Sequence, residues 1–165
     1  MLIEFNNKHH CDDFSRLNEQ WIAEHFSIEA PDRAMFANPF GIVTDGGHII
    51  SLVADGRVVG VCALVKDGEN SYQLARMAVD PGERGKGYGD VLMRAALERA
   101  RADGASCIYL FSNTILAPAI ALYRKHGFIT LSEGPHPAYA RCNIVMELRW
   151  SRPVPGTSVE GIKVK

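Results

Sequence analysis

The sequence predicts a mixed α/β protein of the α+β kind, with one mostly antiparallel sheet flanked by helices. Residues 48–79 contain three strand-like segments separated by short turns, which is the pattern of an antiparallel meander. Residues 87–102 carry apolar side chains at helical spacing instead. Short apolar segments at 106–111, 128–131 and 141–150 have the length of strands. The predicted order is therefore a meander, then helix, strand, helix, strand and strand.

The N-terminal part predicts one short strand, at residues 2–5, and two helices. Asp12 or Asp13 can cap a helix that runs to about Phe26, because a short acidic side chain accepts hydrogen bonds from free amides at a helix start. A second, shorter helix is expected to start at Asp32 and to stop at the Asn-Pro-Phe-Gly sequence that follows. The apolar face of the first helix consists of Phe14, Leu17, Trp21, Ile22 and Phe26.

The meander has strands at residues 48–54, 57–66 and 71–79. The first two are joined by Asp-Gly at positions 55–56, a dipeptide that tolerates the positive φ angles of a tight hairpin turn. A second turn is expected at 67–70, where Asp, Gly, Glu and Asn follow one another.

Glycine and proline mark the ends of the later elements. Gly104 and Gly127 each follow a helical pattern, where a residue with positive φ commonly ends a helix. Pro118 fits the first turn of a helix, because proline lacks only an amide that would be unpaired there. The expected elements are a helix at 87–102, a strand at 106–111, a helix at 118–126, and strands at 128–131 and 141–150.

Composition excludes several classes of protein. The chain has 165 residues, of which 47% are hydrophobic and 22% charged, so it is not disordered throughout. Its net charge of −1 argues against general electrostatic binding of nucleic acid. No apolar run is long enough to span a membrane, and the first ten residues lack the pattern of a signal peptide. We expect a soluble, cytoplasmic protein with no nucleic-acid or membrane partner.

The length suits one domain, which we place at residues 1–150. Residues 151–165 contain two prolines and two glycines and are expected to form a C-terminal tail without an assigned role.

The four cysteines are scattered and show no zinc spacing, so no metal site is expected. Cys62 and Cys107 lie in apolar runs and are predicted to be core residues. Cys11 and Cys142 have polar neighbours, but no ordered Cys/His/Asp arrangement supports either as a nucleophile.

The segment that carries chemistry is the glycine-rich run at residues 79–89, VDPGERGKGYG, between a strand and a helix. Glycines let the backbone turn so that several amides point inward, and the following helix start adds free N–H groups. Arg84 and Lys86 add positive charge. The run therefore predicts a site for a phosphate or pyrophosphate. It matches neither a P-loop, which needs Gly-Lys-Ser/Thr, nor the dinucleotide pattern G-x-G-x-x-G.

Residues 84–89, RGKGYG, match the acyl-CoA signature of the GNAT family of N-acetyltransferases: Arg or Gln, two residues, Gly, one residue, Gly or Ala. The typical Met-Ala-Val-Asp-Pro precedes it at 77–81. A second family element, AIALYRKHGF, follows at 119–128. Over about residues 49–148 the chain thus resembles this family, whose fold is a single domain with a sheet that splays at the acyl-CoA site.

The resemblance implies a site for acetyl-CoA as co-substrate. The backbone of Met77 and Val79 would pair with the pantetheine arm as an added strand, and a nearby amide would polarise the thioester carbonyl. The amides of residues 85–90 would hold the pyrophosphate. The expected cofactor-binding residues are Met77, Ala78, Val79, Arg84, Gly85, Lys86, Gly87, Tyr88, Gly89, Asp90 and Asn113.

Tyr123 occupies the position of the family's usual general acid, where a phenol can protonate or hydrogen-bond the leaving thiolate. Packing on a helix is its alternative role. Asn113 is less clearly placed, because the family's Asn lies seven residues before the Tyr, and Leu116 stands there in this chain. Asn113 either faces the gap between the strands and binds CoA or substrate, or caps the turn that follows.

The general base is not identified by the resemblance, because the strand before the loop has no carboxylate and Gln73 occupies one place where family members carry Glu. A water relay or a pocket group is expected instead; the distant candidates are Glu24, His25, Glu29, Glu69 and His136.

The acceptor pocket is expected between residues 21–32 and 133–141. Its candidate lining residues are Trp21, His25, Phe26, Phe36 and Tyr139, and its candidate carboxylate-binding residues are Arg33, Arg76 and Arg141.

Together these features indicate an acetyl-CoA-dependent N-acetyltransferase that acts on a primary amine by direct attack in a ternary complex. The acceptor would be a small-molecule amine or an amino-acid-like compound, and a homodimer is a further expectation of the resemblance. Two alternatives stay open. One is a non-catalytic acyl-CoA-binding sensor on the same fold, and the other is a nucleotide or phosphate binder unrelated to CoA.

Overall fold

The structure is a computed structural model that describes residues 1–150, so the expected tail at 151–165 lies outside the described residues. The strands are β1 (Leu2–Phe5), β2 (His48–Ala54), β3 (Arg57–Asp67), β4 (Ser71–Val79), β5 (Cys107–Ser112), β6 (Ile129–Glu133) and β7 (Ile144–Arg149). The α-helices are α1 (Cys11–His25), α2 (Ala30–Ala37), α3 (Gly41–Thr44), α4 (Tyr88–Ala102) and α5 (Ala117–Lys125). Two 3-10 turns lie at Lys8–His10 and Pro81–Glu83.

All described strands form one sheet in the order β1-β2-β3-β4-β5-β7-β6. The pairs are antiparallel except β4 with β5, which are parallel. The predicted mixed α/β class and the antiparallel meander of β2, β3 and β4 are confirmed. The parallel pair exists because α4 crosses over the sheet between β4 and β5, as a parallel connection requires.

Helices cover both faces of the sheet, and each face has its own hydrophobic cluster. One cluster joins α4 and α5 to the sheet and includes Leu92, Met93, Ile120 and Leu64. The other joins α1, α2 and α3 to the opposite face and includes Phe14, Phe36, Ile42 and Val61. Neighbouring β3 residues alternate between the clusters because successive side chains of a strand point to opposite faces.

Several predicted boundaries differ from the structure. Helix α1 starts at Cys11, and its N-cap residue, His10, makes no capping side-chain bond; Asp12 and Asp13 lie within the first turn, where they oppose the positive end of the helix dipole. Helix α2 starts at Ala30, earlier than predicted, because Pro31 fits its first turn and the Asp32 carboxylate accepts a hydrogen bond from the Glu29 amide (3.0 Å). The short helix α3 was not predicted.

The later elements shift by one to three residues. Strand β5 runs one residue further than predicted, to Ser112, and β6 begins at Ile129 and extends to Glu133. Strand β7 begins at Ile144, so the stretch before it forms a loop. That loop contributes to the pocket described below.

No helix among the described residues is both long and apolar enough to cross a membrane.

Candidate active site

Strands β4 and β5 separate after a short parallel ladder, which consists of Ser71 with Cys107, Tyr72 with Ile108 and Gln73 with Tyr109. Beyond it, β5 continues to Ser112 beside β7, whereas β4 continues to Val79 beside β3 only. The β4 edge that faces β5 therefore has backbone groups without a strand partner in the described structure. An extended ligand arm can hydrogen-bond to such an edge as an added strand.

Arg76 lies at a bulge in β4. The register of β4 on β3 shifts between Val61 and Ala63, and Arg76 has a φ of 54°. A non-glycine residue in this conformation costs about 1–3 kcal/mol, so other contacts must hold it. Arg76 Nη2 donates to the Tyr139 hydroxyl (2.6 Å) and pairs with Asp32 Oδ1 (3.0 Å). The bulge thereby joins β4 to α2 and to the loop before β7.

The glycine-rich loop presents a run of free amides. Gly85 and Gly87 have φ angles of 80° and 79°, and α4 begins directly afterwards at Tyr88. None of the backbone amides of residues 84–90 donates a hydrogen bond to another group within residues 1–150. Alternating backbone conformations that leave consecutive N–H groups free form a concave anion site. The loop can therefore hold a phosphate group through its backbone.

Both cations of the loop are already paired. Arg84 makes a two-pronged contact with the Glu24 carboxylate on α1, with both N–O distances at 2.9 Å. Lys86 Nζ donates to Glu83 (2.6 Å). Exposed ion pairs such as these contribute about 1 kcal/mol or less, so an anionic ligand can exchange for them. The amides, and not the two side chains, are the unengaged donors of the loop.

The side chain of Asp90 is fully engaged away from the loop. Its carboxylate accepts hydrogen bonds from Lys125 (2.9 Å) and His126 (2.7 Å) and pairs with Arg94 (2.6 Å). The hydrogen bonds from Lys125 and His126 lower the pKa of Asp90 to about 2. Asp90 can therefore serve a ligand only through its backbone amide.

The other residues expected to contact the cofactor lie around the gap. The Met77 side chain lines the pocket at the splay, whereas Ala78 is buried in the cluster against α1. Val79 packs against the cluster on the opposite face. Tyr88 and Gly89 form the first turn of α4. These side chains are mostly committed to packing, which leaves backbone contact as the route to a ligand.

Tyr123 lies on α5 and lines the pocket beside the splayed strands. Its ring packs against Phe128, with ring centroids 6.1 Å apart. Burial raises the pKa of the Tyr123 phenol to about 12, against the opposing effect of the nearby Ser112 hydroxyl. The phenol therefore stays protonated at neutral pH and can act as a hydrogen-bond donor.

Asn113 lines the same pocket, but its side chain already has two partners. Its Oδ1 accepts from the Ile115 amide (3.0 Å), and its Nδ2 donates to the Arg141 carbonyl oxygen (2.7 Å). The first contact is the turn-capping arrangement considered from the sequence. Contact with CoA stays a prediction for this residue. Leu116, at the family's Asn position, also lines the pocket.

The pocket beside the splay contains about 720 Å³ of empty space, including the solvent at its open mouth. Four aromatic side chains form walls of this pocket: Trp21 on α1, Phe26 directly after α1, Phe111 on β5, and Tyr139. The other lining residues are Asn18, Ile22, Gln73, Leu74, Ala75, Arg76, Met77, Ser112, Asn113, Leu116, Tyr123, Arg141 and Cys142. His25 and Phe36 do not line the pocket, contrary to expectation; Phe36 instead packs edge-on against Phe14.

Within the described part of the chain, no carboxylate or histidine lines the pocket. Glu24 is paired with Arg84, and Glu29 pairs with Arg141 (3.2 Å). His136 accepts hydrogen bonds at Nδ1 from the amides of Ala138 (3.0 Å) and Tyr139 (3.2 Å). None of the candidate bases therefore lines the pocket.

Two of the arginines proposed to bind a carboxylate hold a buried carboxylate of the protein itself. Asp32 is fully buried, and Arg141 contacts both of its oxygens at 2.6 Å while Arg76 contacts one. Arg33 donates to the Ile28 carbonyl oxygen and does not line the pocket. Of the three, Arg76 and Arg141 line it.

The sequence did not predict that Asn18 lines the pocket or that Asp32 pairs with Arg76 and Arg141. Asn18 lies four residues after Phe14 and four before Ile22, so it is a polar residue within the apolar face of α1. A polar side chain at a buried helical position is a signal that periodicity alone could have revealed. Asp32 gave no such signal, because its partners lie far away in sequence.

Comparisons with known proteins agree with this arrangement. A sequence model described as the acetyltransferase (GNAT) family matches residues 9–128. Streptothricin acetyltransferase of Streptomyces lavendulae is 36% identical over 107 residues, which cover 58% of this chain and 57% of that protein. The chain spans about half the length of the first curated relatives it matches.

Two solved structures show the same fold. An acetyltransferase of the GNAT family from Staphylococcus aureus Mu50 superposes with a TM-score of 0.78 at 19% identity, covering 90% of this chain and 99% of that one. A protein of Salmonella typhimurium solved with its cofactor acetyl-CoA gives a TM-score of 0.74 at 18% identity, covering 96% and 98%.

Proposed function

Because the chain belongs to the GNAT acetyltransferase family, we propose that it is an acetyl-CoA-dependent N-acetyltransferase that moves an acetyl group to a primary amine. The observation that supports this most directly is the run of free amides at residues 84–90, next to the open edge of β4. The amides suit a pyrophosphate, and the strand edge suits the amide-rich pantetheine arm. Acetyl-CoA carries both groups.

The two substrates are proposed to meet where the gap between β4 and β5 opens into the pocket. The amine nitrogen attacks the thioester carbonyl carbon, so a C–N bond forms and the C–S bond breaks. The substrate ammonium first gives one proton to water, because only the free amine has the lone pair that attacks. After attack the sulfur leaves as a thiolate, and the second proton lost from nitrogen passes to solvent or to a water-linked group. A backbone amide near Met77 would stabilise the negative charge that develops on the carbonyl oxygen.

Tyr123 is proposed to donate a hydrogen bond to the leaving sulfur. A phenol with a pKa of about 12 is a weaker acid than a thiol of ordinary pKa about 8.5, so full proton transfer is uphill. Hydrogen-bond donation to the thiolate still stabilises the products of C–S cleavage. The role therefore depends on the phenol being protonated and well placed.

A second candidate function is a non-catalytic acyl-CoA sensor. The observation that favours it is the lack of a carboxylate or histidine in the pocket lining, within residues 1–150. A sensor would bind CoA ligands in the same gap and need no base for an amine. It would release no thiol with any acceptor.

Thermal unfolding with acetyl-CoA, CoA and ATP tests the co-substrate site. A ligand present at a hundred times its Kd stabilises the folded state by about 2.7 kcal/mol if it binds that state alone. We expect such a shift with acetyl-CoA and CoA and a much smaller one with ATP. If neither acetyl-CoA nor CoA raises the unfolding temperature, the proposal is contradicted.

Thiol release from acetyl-CoA, measured over a panel of amines, then separates the two functions. Turnover with any primary amine supports the enzyme, and kinetics that require both substrates to be bound support direct attack. A protein that binds acetyl-CoA but turns over no amine would be the sensor.

A further inference from the structure

Two residues that line the pocket each have a buried polar atom without a hydrogen-bond partner among the described residues: Asn18 Oδ1 and Arg76 Nε. Leaving a buried polar group unpaired is unfavourable, so such groups are rare in folded proteins. The amide oxygen of Asn18 accepts hydrogen bonds, and the guanidinium Nε of Arg76 donates them. A ligand with a donor and an acceptor can satisfy both.

The orientation of the Asn18 amide is fixed by its other hydrogen bond. Its Nδ2 donates to the Phe14 carbonyl oxygen one turn earlier on α1, at 2.9 Å. A flipped amide would place two oxygens against each other, so Oδ1 must be the atom without a partner. Asn18 is 1% exposed, which leaves the pocket as the place from which a partner can come. Its natural partner is an N–H group, such as that of an amine.

Arg76 is held by the bulge in β4 and by two of its neighbours. Its Nη2 is used by Tyr139 and Asp32, while Nε has no partner in residues 1–150. The side chain is 9% exposed and lines the pocket. A carboxylate oxygen is the strongest partner for a guanidinium N–H.

Within residues 1–150, the charged side chains that line the pocket are both cationic. Arg76 and Arg141 line it, whereas the carboxylates that balance them, Asp32 and Glu29, are not part of the lining. A polycationic amine would meet two guanidinium groups without a facing acid. The aromatic walls add an apolar surface for the rest of the molecule.

We propose that Asn18 and Arg76 bind the acceptor, and that the acceptor is a small amino acid whose amine contacts Asn18 Oδ1 and whose carboxylate contacts Arg76 Nε. This inference rests on the proposed acetyltransferase function and names the substrate class of that site.

The test compares each proteinogenic L-amino acid with the amine that lacks only its carboxylate, for example phenylalanine with 2-phenylethylamine. Thiol release from acetyl-CoA gives kcat and KM for each, and calorimetry measures amino-acid binding to the CoA-saturated protein. We expect the preferred amino acid to exceed its carboxylate-free partner in kcat/KM by about tenfold or more. Spermidine, a polycation, should be a poorer acceptor than that amino acid.

Two variants and one control variant test whether Asn18 and Arg76 cause this preference. Asn18→Leu, which keeps the side-chain size, should raise the KM of the amino acid about tenfold and leave the KM of acetyl-CoA unchanged. Gln20→Leu removes an amide from the exposed side of the same helix and should change neither. Arg76→Lys keeps the charge beside Asp32 but removes Nε, and should reduce the preference for the carboxylate.

The outcomes separate this inference from the proposed function. Equal or better turnover of the carboxylate-free amines, or an unchanged KM in folded Asn18→Leu, overturns the acceptor assignment alone. The acceptor assignment is also overturned if the protein binds acetyl-CoA but neither acetylates nor binds any amino acid. A protein that binds no acetyl-CoA loses both proposals.

Discussion

At the scale of single residues, the protonated phenol of Tyr123 is the group most closely tied to the proposed chemistry. It lines the pocket beside the splayed strands, and burial raises its pKa to about 12. Ionisation of the Tyr123 phenol therefore cannot explain any fall in activity between pH 6 and 10.

Tyr123→Phe removes only the hydroxyl. We expect kcat to fall by about ten- to a thousandfold, or about 1.4–4 kcal/mol in the barrier, while the Kd of acetyl-CoA changes little. Steady-state kinetics and calorimetry measure the two quantities. Tyr109→Phe is the matched control, because the pKa of that phenol is also raised to about 12 by burial but it does not line the pocket. An unchanged kcat in Tyr123→Phe would contradict the proposed hydrogen bond from this residue to the leaving sulfur.

Asp32 is a buried carboxylate held between two guanidinium groups. Burial alone would raise its pKa, but hydrogen bonds from Arg141 and the Glu29 amide and the charge of Arg76 lower the pKa below its ordinary value of 3.8. A carboxyl whose pKa is lowered by folding stabilises the protein above that ordinary value. The stabilisation is lost as the pH falls through the pKa of the folded state.

Asp32→Asn should therefore destabilise the protein by about 3 kcal/mol at pH 7, because two buried guanidinium groups lose their counter-charge. The difference from the wild type should begin to shrink below about pH 4, where the carboxyl of the unfolded wild type becomes protonated, and should be lost as the pH falls through the lower pKa of the folded state. Denaturant unfolding across this pH range measures it. Asp13→Asn, which breaks an exposed pair with Arg16, should cost under about 1 kcal/mol. A difference that stays constant with pH would contradict the assigned ion pair.

At the scale of elements, the glycine-rich loop combines two requirements in a few residues. Positive φ angles at Gly85 and Gly87 turn the chain, and α4 begins at once, so the loop amides and the helix amides lie in one continuous run. The first turn of a helix has free N–H groups in any case. The loop adds its own amides to them.

Gly87→Ala tests the loop geometry. An added Cβ meets no atom within 4 Å, so the effect comes only from the φ of 79°, which costs an alanine about 1–2 kcal/mol. Relief of that strain should displace the amides and raise the Kd of acetyl-CoA about tenfold, as measured by calorimetry. Gly56→Ala in the β2–β3 turn has a φ of 74° and the same open surroundings, so it should lose similar stability without losing affinity. Equal Kd values for the two variants would argue against a role of the loop in binding.

At the scale of the whole molecule, the parallel pairing of β4 with β5 places the gap, the loop and α5 together. Crossover by α4 brings β5 back beside β4, and the departure of β5 toward β7 opens the space between them. The same departure brings the loop before β7 against α2 through the Arg141–Asp32 contacts. One topological feature thus forms both the gap and the pocket.

Hydrogen exchange with and without acetyl-CoA can map this arrangement. Amides of residues 84–90, and those of 76–79 that face β5, should exchange up to about a hundredfold more slowly at a hundred times Kd, because exchange then requires ligand release. Amides that pair β1 with β2 should change only as far as global stability changes. Uniform protection across the sheet, without excess at the gap, would contradict ligand binding there.

The sequence by itself determined the elements and the loop, because these depend on neighbouring residues. Alternation and turn dipeptides placed β2 and β4 at their observed bounds, and the glycine spacing marked the residues that have free amides. Helical periodicity also placed α4 to within a residue.

Only the tertiary structure decided which residues line the pocket. The bulge at Arg76, the burial of Asp32 and the orphaned oxygen of Asn18 depend on contacts between distant segments, such as Arg141 with Asp32, which are 109 positions apart. The sequence around an arginine is the same whether its side chain faces a ligand or a buried carboxylate. Its role is set by the side chains that folding brings to it, and periodicity does not encode them.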